Sequence, residues 1–201
     1  MTPRLPTFVT VALLAAALLV PSPALAHVGA EHLGGFAAGF LHPVLGFDHV
    51  LAMVAVGVWG AFLGMPLVWV LPVTFPLVMA CSGLLGGLGV PIPGIEPGIA
   101  LSVVVLGAMI ALAARPPLWV AAVIVAFWAV FHGYAHGAEL PAAADPFAYG
   151  LGFVLATGLL HLLGIGIGTL TRLPAGRPAL RIAGAVIGSI GVRLLVGDAF
   201  A

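Results

Sequence analysis

The chain has 201 residues, of which 63% are hydrophobic and 6% are charged, and its formal net charge is zero. Soluble domains average about 25% charged residues, so this composition excludes a soluble globular protein and indicates a small polytopic membrane protein. No basic cluster in the sequence is dense enough to hold phosphate, which argues against nucleic acid as a partner. The single cysteine, Cys81, cannot form an intrachain disulfide and is interpreted as a small core residue.

The first 26 residues are predicted to form a cleavable secretory signal peptide. A positively charged start is followed by an apolar stretch at 8–20, a Pro-Ser-Pro break and a small-residue cleavage site at 24–26. An uncleaved first span is the alternative. Cleavage would leave a short polar segment outside the cytoplasm, which is either a leader without a role or an outer metal collector formed by His27, Glu31 and His32.

Residues 27–201 are expected to form one all-α domain, a bundle of six transmembrane helices. Short breaks rich in proline, glycine or charge separate the apolar segments, and this favours antiparallel neighbours. Glycines recur four residues apart, a spacing that lets helices approach closely in lipid. The six predicted segments are 34–63, 67–89, 97–114, 117–138, 147–170 and 179–197.

The arginines predict how the bundle is oriented in the membrane. The positive-inside rule assigns Arg115 to one cytoplasmic loop and Arg172, Arg177 and Arg181 to another, with both ends of the mature chain in the periplasm. Most carboxylates then fall on the outer side, where they would raise the local concentration of cations. Arg193 departs from the pattern because it stands inside the last segment.

Histidines and carboxylates stand inside or beside these apolar segments. Each ionisable group costs roughly 2.5 to 3.5 kcal/mol to insert and usually has a function. A lone intramembrane histidine often only joins two helices by a hydrogen bond, but five of them with an aspartate make that explanation weaker. His132 and His136 are four residues apart on one helical face, a spacing that suits a shared metal ion. The candidate ligands are His42, Asp48, His49, His132, His136, Glu139 and His161.

The block at 40–49 is the most unusual stretch. His42 and His49 are separated by about 10.5 Å along an ideal helix and cannot share an ion unless the helix breaks, which Pro43 and Gly46 permit. Asp48 and His49 point about 100° apart, so one could ligate while the other orients a ligand on a neighbouring helix. We interpret the block as two successive rungs of a ladder of ligands, where an ion must be bound and then released.

The pattern His-Pro-x-x-Gly-x-Asp-His at 42–49 matches the signature of the HupE/UreJ family of nickel or cobalt permeases. The segments 131–139 and 156–161 resemble later motifs of that family, so the likeness covers essentially the whole mature chain. The resemblance implies a bacterial inner-membrane importer of Ni²⁺ or Co²⁺ that serves hydrogenase or urease maturation, with the metal as substrate and no prosthetic group. The broader nickel/cobalt transporters have a similar element, but this chain has one more residue between His42 and Asp48, so their ligand geometry does not transfer.

Other functions remain open at this point. Imidazoles with carboxylates also suit zinc or copper, and an intramembrane zinc-dependent hydrolase could use the same residues to activate water. The sequence has no His-Glu-x-x-His element, and no serine stands in a motif beside the histidines, so we expect a transporter and not an enzyme. A sensor subunit is disfavoured by the lack of a predicted soluble domain. Proton coupling is undecided, and the chain could form homo-oligomers in the bilayer.

Overall fold

The structure, a computed structural model, describes residues 34–140 and 144–199. The predicted signal peptide at 1–26 and the candidate metal collector at 27–32 lie outside the described residues. Within the described part the regular structure is entirely helical. The helices are α1 (Gly35–Leu45), α2 (Phe47–Leu63), α3 (Leu67–Gly87), α4 (Ile95–Ala111), α5 (Leu118–Ala138), α6 (Pro146–Gly168) and α7 (Gly176–Ala199), with a 3₁₀ turn (Thr169–Arg172) after α6.

Helix lengths support a multi-pass membrane protein. The helices α3, α5, α6 and α7 are each long and apolar enough to cross a bilayer, and α1 with α2 would make a fifth, bent span. Helix α4 is apolar but has only 17 residues. Each predicted segment coincides with one of these units to within a few residues. The all-α membrane fold is therefore supported, while the count of six spans stays a prediction.

Helices α1 and α2 are separated by one residue, Gly46, whose φ of −75° and ψ of 106° are extended. Proline disfavours a regular helix, and Pro43 precedes this point by three residues. Asp48 lies in the first turn of α2, where the helix dipole favours a negative charge, and it accepts a hydrogen bond from the backbone N–H of His49 at 2.7 Å. The chain bends here by 78°.

Helix α2 lies at the centre of the bundle and packs against α3, α4 and α6. Its residues Met53 and Trp59 are fully buried. Helix α5 runs along α3, α7 along α4, and α6 along both α1 and α2. Cys81 was predicted to be a core residue, and this is wrong, because it is exposed on α3. The outer face of a membrane helix is as apolar as its core, so composition could not distinguish the two.

Glycines allow these helices to touch through their backbones. A Cβ atom added to Gly137 of α5 would collide with the carbonyl oxygen of Gly83 in α3, and one added to Gly133 would collide with the α3 backbone. A Cβ atom on Gly57 of α2 would meet the carbonyl oxygen of His161 in α6. The contacts of Gly133 and Gly57 also position the histidines, because Gly133 follows His132 in α5 and Gly57 packs against the backbone of His161.

Candidate metal-binding site

Four of the predicted histidines, carried by α1, α2 and α5, meet inside the bundle. The ring centroids of His42 and His136 are 4.5 Å apart, those of His49 and His136 are 4.6 Å apart, and those of His49 and His132 are 4.7 Å apart. No single helix supplies this group, because His132 and His136 of α5 contact rings that α1 and α2 contribute. We call His42, His49, His132 and His136 the four-histidine cluster.

The bend at Gly46 changes the relation between His42 and His49. Their ring centroids are 6.1 Å apart, and both rings contact His136. The expected 10.5 Å separation applies to a straight helix. The interpretation of these two histidines as separate rungs therefore does not hold, and the block contributes both of them to one cluster.

Three members of the cluster are buried and have ring nitrogens without a protein hydrogen-bond partner. His132 is 0% exposed, His136 is 2% exposed and His49 is 6% exposed. The nitrogens without a partner are Nε2 of His49, Nδ1 of His132 and both nitrogens of His136. Buried polar atoms are nearly always paired, so an unpaired set this dense points to a ligand.

Carboxylates flank the cluster on two sides. Oδ1 of Asp48 lies 2.7 Å from Nδ1 of His49, and because an ionised carboxylate only accepts, Nδ1 carries the hydrogen and Nε2 keeps its lone pair. The sequence predicted that one of Asp48 and His49 would ligate while the other oriented a ligand on a neighbouring helix, whereas here Asp48 contacts His49 itself. Oε2 of Glu139 lies 3.2 Å from Nε2 of His42, and this carboxylate side chain is 35% exposed.

Ser102 of α4 is a site residue that the sequence did not reveal. Its fully buried hydroxyl lies 2.6 Å from the carbonyl oxygen of Ile99 and 2.8 Å from Nε2 of His132. The carbonyl can only accept, so it takes the single hydroxyl proton, and Nε2 of His132 must then donate to Oγ. This leaves the lone pair of His132 on Nδ1, the nitrogen without a protein partner.

His161 of α6 lies apart from the cluster. The ring of Phe75, which is fully buried in α3, contacts His161 at a centroid distance of 5.4 Å and His132 at 5.5 Å. Both nitrogens of His161 and the hydroxyl of Thr157, one turn earlier, are buried without a protein partner. The histidines thus form two layers with an aromatic ring between them.

Sequence comparisons agree with this arrangement of motifs. A sequence model of the family described as HupE / UreJ protein matches residues 14–194. The chain belongs to the HupE/UreJ family. It is 47% identical over 182 residues to Protein HupE of Rhizobium leguminosarum bv. viciae, which covers 90% of this chain and 95% of that protein. The resemblance drawn from the motif at 42–49 is confirmed, and no solved structure matches the chain.

In this HupE/UreJ protein the site is not a closed cage. Within the two described ranges, no three His, Cys, Asp or Glu side chains are placed to hold one metal ion as they stand. Neighbouring imidazoles instead form pairs, with His49 in contact with both His132 and His136. Such pairs can hold an ion in turn along a path, whereas a structural site surrounds its ion with four ligands.

Proposed function

We propose that this protein is a permease that imports Ni²⁺, or alternatively Co²⁺, across the bacterial inner membrane. The observation that carries the proposal is the four-histidine cluster, with buried imidazole nitrogens that have no protein partner. Imidazole with carboxylate is a donor set suited to these borderline metals. Membership of the HupE/UreJ family supports metal transport over the other functions considered.

The proposed path runs along α5 from its C-terminal end toward its N-terminal end. The ion meets Glu139 at the end of α5, passes to His136 and His132 of the cluster, and then passes Phe75 to reach His161. Asp48 and Glu139 compensate the positive charge that the ion brings into an apolar bundle. The Nε2 atom of His42 would exchange its Glu139 contact for the ion, which gives the ion a means of entry.

The cellular setting is carried over from the family resemblance and remains part of the proposal. The mature chain would have both termini in the periplasm, and the imported metal would supply hydrogenase or urease maturation. The polar segment at 27–32 would collect the metal before it enters.

The contact between Ser102 and His132 must be weighed against the alternative function, a hydrolase. A serine beside a histidine can act as a nucleophile when the imidazole accepts its proton. Here the hydroxyl gives its proton to the carbonyl oxygen of Ile99, so His132 is not its acceptor. The geometry therefore supports transport better than hydrolysis.

Uptake of radiolabelled nickel by cells that express the chain tests the proposal. The variants His49→Gln, His132→Gln and His136→Gln should each abolish uptake at expression equal to that of the wild type. Ser189→Ala is the matched control, because this exposed hydroxyl bonds only within α7, to the carbonyl oxygen of Ala185. Full uptake by all three histidine variants would refute the proposal.

Reconstitution separates transport from metal-dependent hydrolysis. The purified chain in vesicles with an entrapped metal indicator should admit Ni²⁺ or Co²⁺ without ATP. Zinc that stays bound stoichiometrically in chelator, together with cleavage of a peptide or lipid and no metal entry, would establish the hydrolase instead.

A further inference from the structure

A basic cavity of about 260 Å³ lies at the end of the bundle away from the four-histidine cluster. Helix α2 begins beside the cluster and ends at this cavity, where Phe62 forms part of the wall. The positive-inside rule assigns this end to the cytoplasm. The lining residues are Phe62, Ala113, Arg115, Arg177, Pro178 and Arg181.

The fold gathers these arginines although the sequence shows no dense basic cluster. Arg115 belongs to the connection between α4 and α5, whereas Arg177 and Arg181 belong to the first two turns of α7. Packing of α7 along α4 brings the two segments together. Three arginines thus line one cavity.

No carboxylate among the described side chains forms an ion pair with these three arginines. Each carboxylate whose side chain is described stands at a helix end remote from the cavity. Asp48 and Glu96, for example, lie in the first turns of α2 and α4, whose last turns lead to the cavity. An anion from outside the chain is therefore the natural partner of this charge. The remote carboxylates are Asp48, Glu96, Glu139 and Asp145.

The guanidinium group of Arg181 is held in position. Its Nε atom donates a hydrogen bond of 2.7 Å to the carbonyl oxygen of Ala111, in the last turn of α4. This bond uses one of the five N–H donors of the group. A fixed guanidinium loses less conformational entropy when it binds an anion than a free one would.

The surroundings of the cavity suit the edge of a bilayer. Leu112, Leu118, Trp119 and Leu173 are exposed near this end. Tryptophan concentrates at membrane interfaces, where its ring lies at the depth of the lipid headgroups. In this orientation the basic cavity would lie at the depth of the phospholipid phosphate groups.

We propose that this cavity binds the phosphate group of an anionic phospholipid headgroup. Guanidinium groups match phosphate in geometry and charge, and basic pockets between transmembrane helices on the cytoplasmic side suit such headgroups. Its volume of about 260 Å³ is slightly below the range of sites that enclose a whole drug-sized ligand, so it fits a headgroup alone. The bound phosphate would tie Arg115 to the start of α7. This proposal does not depend on the proposed transport function.

The test is thermal unfolding of the purified full-length chain in detergent with added phosphatidylglycerol or phosphatidylcholine. Phosphatidylglycerol should raise the melting temperature of the wild type by several degrees, and phosphatidylcholine should not. The double variant Arg115→Gln/Arg177→Gln should need at least about tenfold more phosphatidylglycerol for the same rise in melting temperature, because it loses two charge-assisted contacts. Arg181 is left intact because it also holds α4.

Arg172→Gln is the matched control, since Arg172 is an exposed arginine at the same end of the bundle that does not line the cavity. It should respond to phosphatidylglycerol as the wild type does. Equal loss in Arg172→Gln would overturn the proposal by showing that surface charge alone attracts the lipid. An equal response of the wild type to both lipids would also overturn it.

Two further experiments identify the source of the phosphate and keep the test valid if the glutamine variant does not fold. Inorganic phosphate at millimolar concentration should give no shift in phosphatidylcholine nanodiscs; a full shift would overturn the assignment to lipid in favour of a soluble phosphate. If the glutamine double variant does not fold, Arg115→Lys/Arg177→Lys keeps the charge without the guanidinium fork, and it should still need more phosphatidylglycerol than the wild type. An unchanged requirement in this variant would count against the site.

Discussion

The four-histidine cluster and His161 are two histidine layers that differ in the number of imidazole and carboxylate groups they bring together. The cluster combines imidazoles from α1, α2 and α5, and two of them contact carboxylates, Asp48 and Glu139. His161 is a single imidazole, 1% exposed, without a carboxylate partner among the described residues. Phe75 touches both layers.

This difference follows from how the helices are built. The bend at Gly46 lets one segment supply two imidazoles, and the spacing of four residues lets α5 supply two more. Helix α6 is one continuous helix and brings a single histidine to its layer. Under the proposed transport function, an ion would be held firmly in the cluster and weakly at His161. Conduction requires this kind of descent from binding to release.

Removing a cluster histidine should have the largest effect. His136→Gln should weaken nickel binding by at least about 100-fold, because ligand loss exceeds the 10- to 100-fold loss typical of residues that only support ligands. His161→Gln should change binding by less than about threefold, although it should reduce uptake. Titration calorimetry of the purified chain measures the binding, and equal losses of binding in both variants would contradict the division into two layers.

Gly57 should be the most sensitive packing position of the second layer. A Cβ atom there would meet the carbonyl oxygen of His161 and the nitrogen of Ile165. Overpacking of this kind costs about 1 to 3 kcal/mol, which corresponds to a fall in melting temperature of roughly 2 to 12 °C for a chain of this size. Gly57→Ala should therefore melt earlier and take up less nickel.

Gly158→Ala is the control for this substitution. Gly158 lies on α6 one turn before His161, and a Cβ atom there would meet nothing within 4 Å. Its melting temperature should equal or slightly exceed that of the wild type, because alanine favours a helix over glycine. A wild-type melting temperature for Gly57→Ala would show that α2 and α6 separate easily.

Ser102→Ala tests how the cluster is oriented and should have a smaller effect than loss of a ligand. Without the hydroxyl, His132 can place its hydrogen on either nitrogen, and nickel affinity should fall by about tenfold. Ser82→Ala is closely matched, because Ser82 is also buried and also donates to a carbonyl three residues earlier, but its hydroxyl has no hydrogen bond to an imidazole. Equal affinities of the two variants for nickel would remove the orienting role of Ser102.

Much of the fold could be predicted from hydropathy and helix-breaking residues. Proline and glycine breaks marked where α3 begins and where α4 ends, because they interrupt apolar segments that are otherwise long enough to span a bilayer. The effect of each proline could not be predicted. Helix α3 continues through Pro72 and Pro76, whereas the chain bends near Pro43, because neighbouring helices can support a freed backbone group.

The candidate site was only partly predictable. Spacing within a helix correctly placed His132 and His136 together, since that relation is local. Ser102 and Phe75 reach the histidines only through packing between helices, and no sequence interval signals such contacts. His42 and His49 come together only because the chain bends at Gly46. The sequence showed that a bend was possible there but not that it occurs.

Phe75 should control passage between the layers more than binding in either one. A buried apolar ring can act as a constriction that excludes water, and it stands between His132 and His161. Phe75→Leu shortens the side chain at modest cost, whereas alanine would remove about 3 to 5 kcal/mol of core stability. We expect nickel binding to change by less than about twofold and the initial rate of uptake to rise by about threefold.

The rate is read from vesicles with an entrapped indicator, and Phe147→Leu is the control because its ring is 81% exposed at the start of α6. The two roles of Phe75, constriction or core packing, predict opposite changes in the transport rate of the leucine variant. If Phe75 only packs, the leucine variant should lose stability and transport together. If the ring separates the two layers, transport should rise although stability falls, because the barrier and the fold then depend on the same side chain for different reasons.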